Sequence, residues 1–176
     1  MSSKGTLIPY QGVLQEYGAA PATWVILSTP LLNMMQTAGH GTYLKSPISQ
    51  HLSYYMGYAY VDDTDLVEYQ ANDPTIIIDE VMNKMQRVID RWEGGLTSTG
   101  GALVLEKCWV YPISFQFDKE GDWSYETTAE VDVQITMKDQ NDNRQNMQQE
   151  EVYTAKKTLG VFLAPDGNND TAVKEL

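Results

Sequence analysis

The stretch GYAYVDDTDLVEY, residues 57–69, decides how the rest of this chain is interpreted. Tyrosines, valines and other residues typical of strands lie on both sides of its centre. Between them, Asp62, Asp63 and Asp65 place three carboxylates close together. The sequence therefore predicts a β-hairpin with an acidic tip, built from the segments SYYMGYAYV and TDLVEYQ.

Adjacent carboxylates at a turn repel each other, and this repulsion weakens the fold unless a cation lies between them. Mg²⁺ prefers one or two carboxylates together with water and substrate phosphates. Asp62 and Asp63 are therefore candidate ligands for Mg²⁺ or Mn²⁺. In the alternative interpretation, Asp62, Asp63 and Asp65 are solvated turn residues bonded to their own backbone. The spacing alone leaves both interpretations open.

The overall charge argues against nucleic-acid binding when it is taken alone. The 176-residue chain has a formal net charge of −12, and an acidic surface repels a phosphate backbone. Its basic groups are local, since Lys84, Arg87 and Arg91 recur along one segment. Any nucleic-acid hypothesis depends on such local charge.

The length and composition predict a single intracellular domain over residues 1–176. We expect no signal peptide, because the first residues lack a basic start followed by an apolar run. The longest apolar stretch is interrupted by polar residues and proline, so we expect no membrane partner. Cys108 is the only cysteine, which excludes an internal disulfide.

Two helices are predicted. The first is the segment PATWVILSTPLLNMMQTA, with Pro21 in its first turn, Pro30 as an expected kink and Gly39 just past its end. The second begins at Asp73-Pro74 and carries apolar residues at spacings of three and four. Gly94-Gly95 is its predicted stop.

The chain after the second helix has the period of strands. The predicted strand segments are ALVLEKCWVYPISFQF, WSYETTAEVDVQITM and VYTAKKTLGVFLAP, and the polar segment KDQNDNRQNMQQEE is a predicted exposed loop. Helix, hairpin, helix and then several strands predict an α+β fold, in which two main helices pack on one face of an antiparallel sheet.

Four segments in order resemble motifs of reverse transcriptases, the RNA-directed DNA polymerases of retroelements such as retrotransposons. YVDD, residues 60–63, resembles the catalytic box on the hairpin of the polymerase palm. GVLQEYGAAP before it resembles the glutamine-bearing segment that leads into a helix. STGGALVLEKCW resembles the segment that leads to a lysine, and KKTLGVFLAPDG resembles the strand called the primer grip.

The resemblance implies a partial palm that adds deoxynucleotides to a primer by two-metal phosphoryl transfer. It implies that Asp62 and Asp63 are catalytic and form the Mg²⁺ (or Mn²⁺) site, with Asp62 as the ligand and Asp63 supporting the negative field. Tyr60 would flank the primer end. The implied partners are a primer-template nucleic acid and a deoxynucleoside triphosphate.

The resemblance also implies a set of nucleic-acid and nucleotide contacts. Gln15 and the helix start at Pro21 would line the template and the incoming nucleotide, where helix N-terminal amides favour phosphate. Lys107 would lie near the nucleotide phosphates, and Leu159 with Gly160 would position the primer. Each set has a plain structural alternative: a turn hydrogen bond for Gln15, a solvated strand position for Lys107 and a core position for Leu159.

The chain departs from the family pattern at two places. Glu16 stands where the family usually has glycine. No aspartate precedes Asp62, although the family has a second metal-binding aspartate upstream, and a two-metal centre needs both. We therefore expect a palm fragment without fingers or thumb that is inactive alone. The rival hypothesis is a degenerate palm-derived domain with a binding or structural role, or with none.

Overall fold

A computed structural model describes residues 20–60, 63–69, 77–139, 142–158, 161–168 and 170–174. The predicted α+β class is confirmed, and so are two principal helices. The helices are α1 (Ala20–Thr37), α2 (Ile78–Ser98) and the short α3 (Asp170–Lys174). The strands are β1 (Thr42–Lys45), β2 (Leu52–Tyr55), β3 (Gly57–Tyr60), β4 (Asp63–Leu66), β5 (Trp109–Val110), β6 (Phe115–Phe117), β7 (Trp123–Tyr125), β8 (Thr136–Lys138), β9 (Arg144–Asn146), β10 (Gln148–Gln149), β11 (Lys156–Thr158) and β12 (Val161–Leu163).

The described strands form six two-stranded sheets and not the one antiparallel sheet that the sequence predicted. Five are antiparallel pairs of consecutive strands: β1–β2, β3–β4, β6–β7, β8–β9 and β11–β12. The sixth pairs β5 with β10 in parallel. The strands have only two to four residues, because turns and short 3₁₀ segments interrupt the predicted runs. Pairs this short depend on packing against helices.

The first helix ends where the sequence predicted, and it continues through Pro30. Gly39 has a φ of +78°, a conformation that glycine adopts without steric cost. Its N–H donates to the carbonyl of Gln36 at 2.9 Å, and the His40 N–H donates to Met35 at 3.2 Å. This pair of bonds is the Schellman motif that ends many helices.

The second helix ends later than predicted, because it passes through Gly94 and Gly95. The helix ends at Ser98. Gly100 follows with a φ of +83°, and its N–H donates to the Thr97 carbonyl at 3.0 Å. At the other end, Ile77 is the N-cap residue and provides no side-chain cap. Asp73 and Pro74, the predicted start, lie outside the described residues.

Gly95 serves helix packing and not helix termination. A Cβ atom at this position would lie 2.8 Å from Leu31 Cδ2 and 2.8 Å from Met34 Cε, both on α1. The missing side chain therefore lets α1 and α2 approach closely. At Gly94, by contrast, an added Cβ would meet nothing within 4 Å.

α2 lies between two hydrophobic clusters. The first joins it to α1 and to the residue before β3, and contains Leu31, Met35, Met56, Val88, Trp92 and Leu96. The second joins it to the C-terminal strands, and contains Met82, Ile89, Val110, Val131, Ile135, Met137 and Met147. Leu66, Met85 and Leu103 pack against both clusters. Since Leu66 is in β4, both clusters support the acidic hairpin.

The polar segment KDQNDNRQNMQQEE, predicted to be an exposed loop, is only partly a loop in the structure. It contains β9 and β10, and between them Met147 is only 4% exposed. The burial of this one apolar side chain holds the polar segment on the second cluster. Gln86 of α2 also fixes β8, since its side chain accepts from the Thr136 N–H at 2.7 Å and donates to the Thr136 carbonyl at 2.8 Å.

Candidate functional site

The acidic hairpin predicted from the sequence is present as β3–β4, but its predicted first strand, SYYMGYAYV, is divided at Met56, and the part before Met56 belongs to β2, which pairs with β1. Tyr60 pairs with Asp63, and Gly57 pairs with Leu66 at the other end. Val61 and Asp62, between the paired residues, lie outside the described residues. Asp63 is therefore the described member of the predicted metal pair, and it is exposed at the first position of β4.

The two faces of this hairpin have different chemistry. Successive residues of a strand point to opposite faces, so Asp63 and Asp65 share one face while Leu66 lies on the face toward the core. Tyr58 is directly opposite Asp65, and its hydroxyl hydrogen-bonds the Asp65 carboxylate. The outer face therefore presents the carboxylates of Asp63 and Asp65 together with the phenol of Tyr58.

Asp65 is not a solvated turn residue, because it is half-buried in the middle of a strand. The hydrogen bond to Asp65 is the largest cause that raises the pKa of Tyr58 to about 12, and burial and the negative charge of Asp65 add to it. Burial raises the pKa of Tyr55, and the negative charge of Asp65 adds to this shift. Burial also raises the pKa of Tyr111 to about 12, and the charges of Glu150 and Asp65 add to that shift. The carboxylate therefore lies among three tyrosines.

Gly57 is required by the backbone geometry of the hairpin. A Cβ atom there would lie 2.0 Å from the backbone oxygen of Asp65, far inside a van der Waals contact. One step further out, the Val67 N–H donates to the Met56 carbonyl at 2.8 Å and continues the pairing. The glycine therefore allows the two strands to remain paired along the whole length of the hairpin.

Lys107 is at the end of a 3₁₀ turn, Leu105–Lys107, and not on a strand. Its side chain is exposed, and it takes part in no ion pair with Asp63 in the described part of the chain. Leu105 packs against the second hydrophobic cluster, as Leu66 does. The lysine-bearing turn and the acidic hairpin thus share a core, but their charged groups are not in contact.

The remaining predicted site residues are only partly described. Pro21 lies in the first turn of α1, and Tyr60 is the last residue of β3. Gln15, Leu159 and Gly160 lie outside the described residues, as Asp62 does. The described residues contain no group of three or more His, Cys, Asp or Glu side chains placed to hold a metal ion.

A polar pocket of about 340 Å³ lies beside the base of the hairpin and was not predicted. His40, Glu68, Lys84 and Arg87 are among its lining residues. The Gly41 N–H donates to Glu68 Oε2 at 3.4 Å. The sequence signal was the spacing of Lys84 and Arg87, which places both on one side of a helix.

Burial sets the electrostatics of this pocket. It raises the pKa of Glu68, against the lowering effects of the Gly41 N–H, Lys84 and Arg87. It also lowers the pKa of His40, and the positive charges of Arg91 and Arg87 add to this effect. Both shifts favour the neutral forms of these two side chains.

No protein-family model, no curated protein and no solved structure matches this chain. No helix in the described ranges is long and apolar enough to cross a membrane. Cys108 is half-buried and has a free thiol.

Proposed function

We propose that the chain is a palm segment of an RNA-directed DNA polymerase, in which the β3–β4 hairpin presents Asp62 and Asp63 to Mg²⁺. The observation that carries the proposal is the hairpin register, in which Tyr60 is opposite Asp63. This register leaves only Val61 and Asp62 between the strands, so the YVDD sequence spans the tip of the hairpin.

The charge and exposure of Asp63 beside this tip support the proposal of a divalent-cation site. The outer face offers carboxylate oxygens, which Mg²⁺ and Mn²⁺ prefer as ligands. Asp63 is exposed there, without a cation from the described residues to neutralise it. When bound, the metal would neutralise charge that develops on a nucleotide phosphate.

In the proposed mechanism, the residues of this chain bind the cation and position the template and the nucleotide. Asp62 and Asp63 would bind the cation, and Leu66 on the opposite face would keep the hairpin fixed on both hydrophobic clusters. α1 would place its first turn, with Pro21, near the template, and Lys107 would meet the nucleotide phosphates. A second carboxylate would have to come from an upstream segment joined to this chain.

Metal binding is the first test. Mn²⁺ titration, followed by paramagnetic broadening of amide signals, should show weak binding centred on β3–β4. Asp62→Asn should abolish it, because the tip loses a ligand. Asp122→Asn, which removes an equal charge from a different hairpin, is the matched control and should change nothing. Equal broadening in wild type and Asp62→Asn would remove the metal site from the proposal.

Activity is the second test. The isolated chain should extend no primer, since one carboxylate of the two-metal centre is missing. A fusion that adds an upstream strand carrying an aspartate should extend a primer, and the same fusion with Asp62→Asn should not. A fusion that folds and binds Mn²⁺ without extending a primer would favour the degenerate palm-derived domain instead.

A further inference from the structure

The β6–β7 hairpin carries an exposed aromatic face that the polymerase proposal does not use. Phe115 is opposite Tyr125, and Phe117 is opposite Trp123. Alternation along each strand puts all four rings on one face. Phe115, Phe117 and Trp123 are 51%, 72% and 58% exposed, although side chains of this size are usually buried.

Three of the four rings, those of Phe115, Trp123 and Tyr125, contact one another, and none of the four belongs to either hydrophobic cluster. Phe115 lies 5.5 Å from Trp123 and 5.0 Å from Tyr125 between ring centroids, and Trp123 and Tyr125 are 5.4 Å apart. These spacings are within the range of favourable aromatic pairs. These three rings therefore support one another and lose less side-chain freedom than isolated rings would when a ligand covers them.

The backbone pattern leaves both edges of this hairpin open. The Asp118 N–H donates to Asp122 and the Glu126 N–H donates to Ser114, so alternation makes 115–125 and 117–123 the non-hydrogen-bonded pairs. The backbone groups of the four aromatic residues therefore point away from the partner strand. No third strand joins this pair among the described strands.

The charge around the aromatic face selects the kind of ligand. Three carboxylates lie in the hairpin turn, at Asp118, Glu120 and Asp122, with Lys119 as the single cation among them. Glu126 follows β7 at the other end of the hairpin, opposite Ser114. This negative field repels nucleic acid and attracts basic groups. Cationic side chains also bind favourably over aromatic faces.

We propose that the β6–β7 hairpin is a docking site for an extended basic segment of a partner protein. The segment would add as a strand at an open edge, which is a common mode of peptide recognition. Its lysine or arginine side chains would lie over the rings of Phe117 and Trp123 and meet the carboxylates of the turn. This role is independent of polymerase activity.

The test uses a synthetic peptide of alternating lysine and valine, about eight residues long to match a strand. Titration into the isotope-labelled chain should shift the amide signals of residues 113–126. The double variant Phe117→Ser/Trp123→Ser should bind about tenfold more weakly, because two ring contacts are lost. Ile48→Ser, at a residue 95% exposed in another loop, is the matched control and should bind as wild type does.

One further variant and one control peptide complete the test. Glu120→Gln removes one turn carboxylate without removing a turn hydrogen bond, and should also weaken binding, whereas a glutamate–valine peptide should not bind. Unchanged peptide affinity in both the Phe117→Ser/Trp123→Ser double variant and Glu120→Gln would overturn the proposal. Preferential binding of oligothymidylate at this face, or self-association through it that excludes the peptide, would overturn it in favour of a nucleic acid or a second copy.

Discussion

Tyr58 and Asp65 form a cross-strand pair whose energy depends on pH. Directly opposite side chains on paired strands are close enough to interact, and here a phenol donates to a carboxylate. The bond favours the neutral phenol and raises its pKa from the ordinary 10 to about 12. A group whose pKa is raised by folding stabilises the fold below its unfolded value. The stabilisation is therefore present below pH 10 and is lost as the pH rises toward 12.

We predict that Asp65→Asn moves the titration of Tyr58 back toward its ordinary range, because both the acceptor carboxylate and its negative charge are removed. Carbon NMR of ring-labelled tyrosine across alkaline pH measures this directly. Asp63→Asn is the matched control on the same strand and should leave Tyr58 titrating near 12. A high pKa that persists in Asp65→Asn would show that burial alone causes the shift.

The helices show where local sequence signals succeed and where they fail. Gly39 was predicted to end α1 and does so, because the Schellman bonds involve only neighbouring residues. Gly94-Gly95 was predicted to end α2 and does not, because Gly95 is needed for contact with Leu31 of α1. That requirement comes from a residue far away in the sequence, and no local pattern reports it.

We predict different effects on stability for the same substitution at these two adjacent positions. Gly94→Ala should raise the free energy of unfolding by about 0.5–1 kcal/mol, because alanine favours the helix and its Cβ meets nothing. Gly95→Ala should gain clearly less, because its Cβ would lie 2.8 Å from Leu31 Cδ2 and from Met34 Cε, and these side-chain ends must shift to make room. Urea unfolding at equilibrium gives both values. Equal and positive effects would mean that the two helices are not in close contact at Gly95.

The strands and the site were predictable to different degrees. Alternation in residues 57–69 identified the acidic hairpin, because both of its strands lie within one short segment. Alternation could not say which of the later strands pair, since pairing depends on contacts between distant segments. The pocket at His40, Glu68 and Arg87 was missed for the same reason, because its lining comes from three separate parts of the chain.

At the scale of the whole molecule, the C-terminal hairpin β11–β12 is attached by an ion pair between Lys156 and Glu150. The Glu150 side chain is only 8% exposed, and the ion pair offsets the cost of burying its carboxylate. Lys156 also lies 5.8 Å from the centroid of the Trp109 ring. These contacts connect the hairpin to the β5–β10 pair.

We predict that Lys156→Met lowers the free energy of unfolding by about 3 kcal/mol, because it leaves the Glu150 carboxylate buried without a cation. Lys157→Met, at the adjacent exposed position, should change it by no more than about 1 kcal/mol, because it removes only an exposed contact with the Phe162 ring, 5.9 Å away. Chemical denaturation of both variants against wild type measures the difference. A small effect at Lys156 would indicate that water replaces its ammonium group beside Glu150.

Leu66 is one of three residues, with Met85 and Leu103, that pack against both hydrophobic clusters. A change of side-chain volume at any of the three must be accommodated on both sides of α2, and the carboxylates of β4 are only a few residues from that junction. In a set of related chains, we therefore expect positions 66, 85 and 103 to covary in size, while the neighbouring surface positions drift independently.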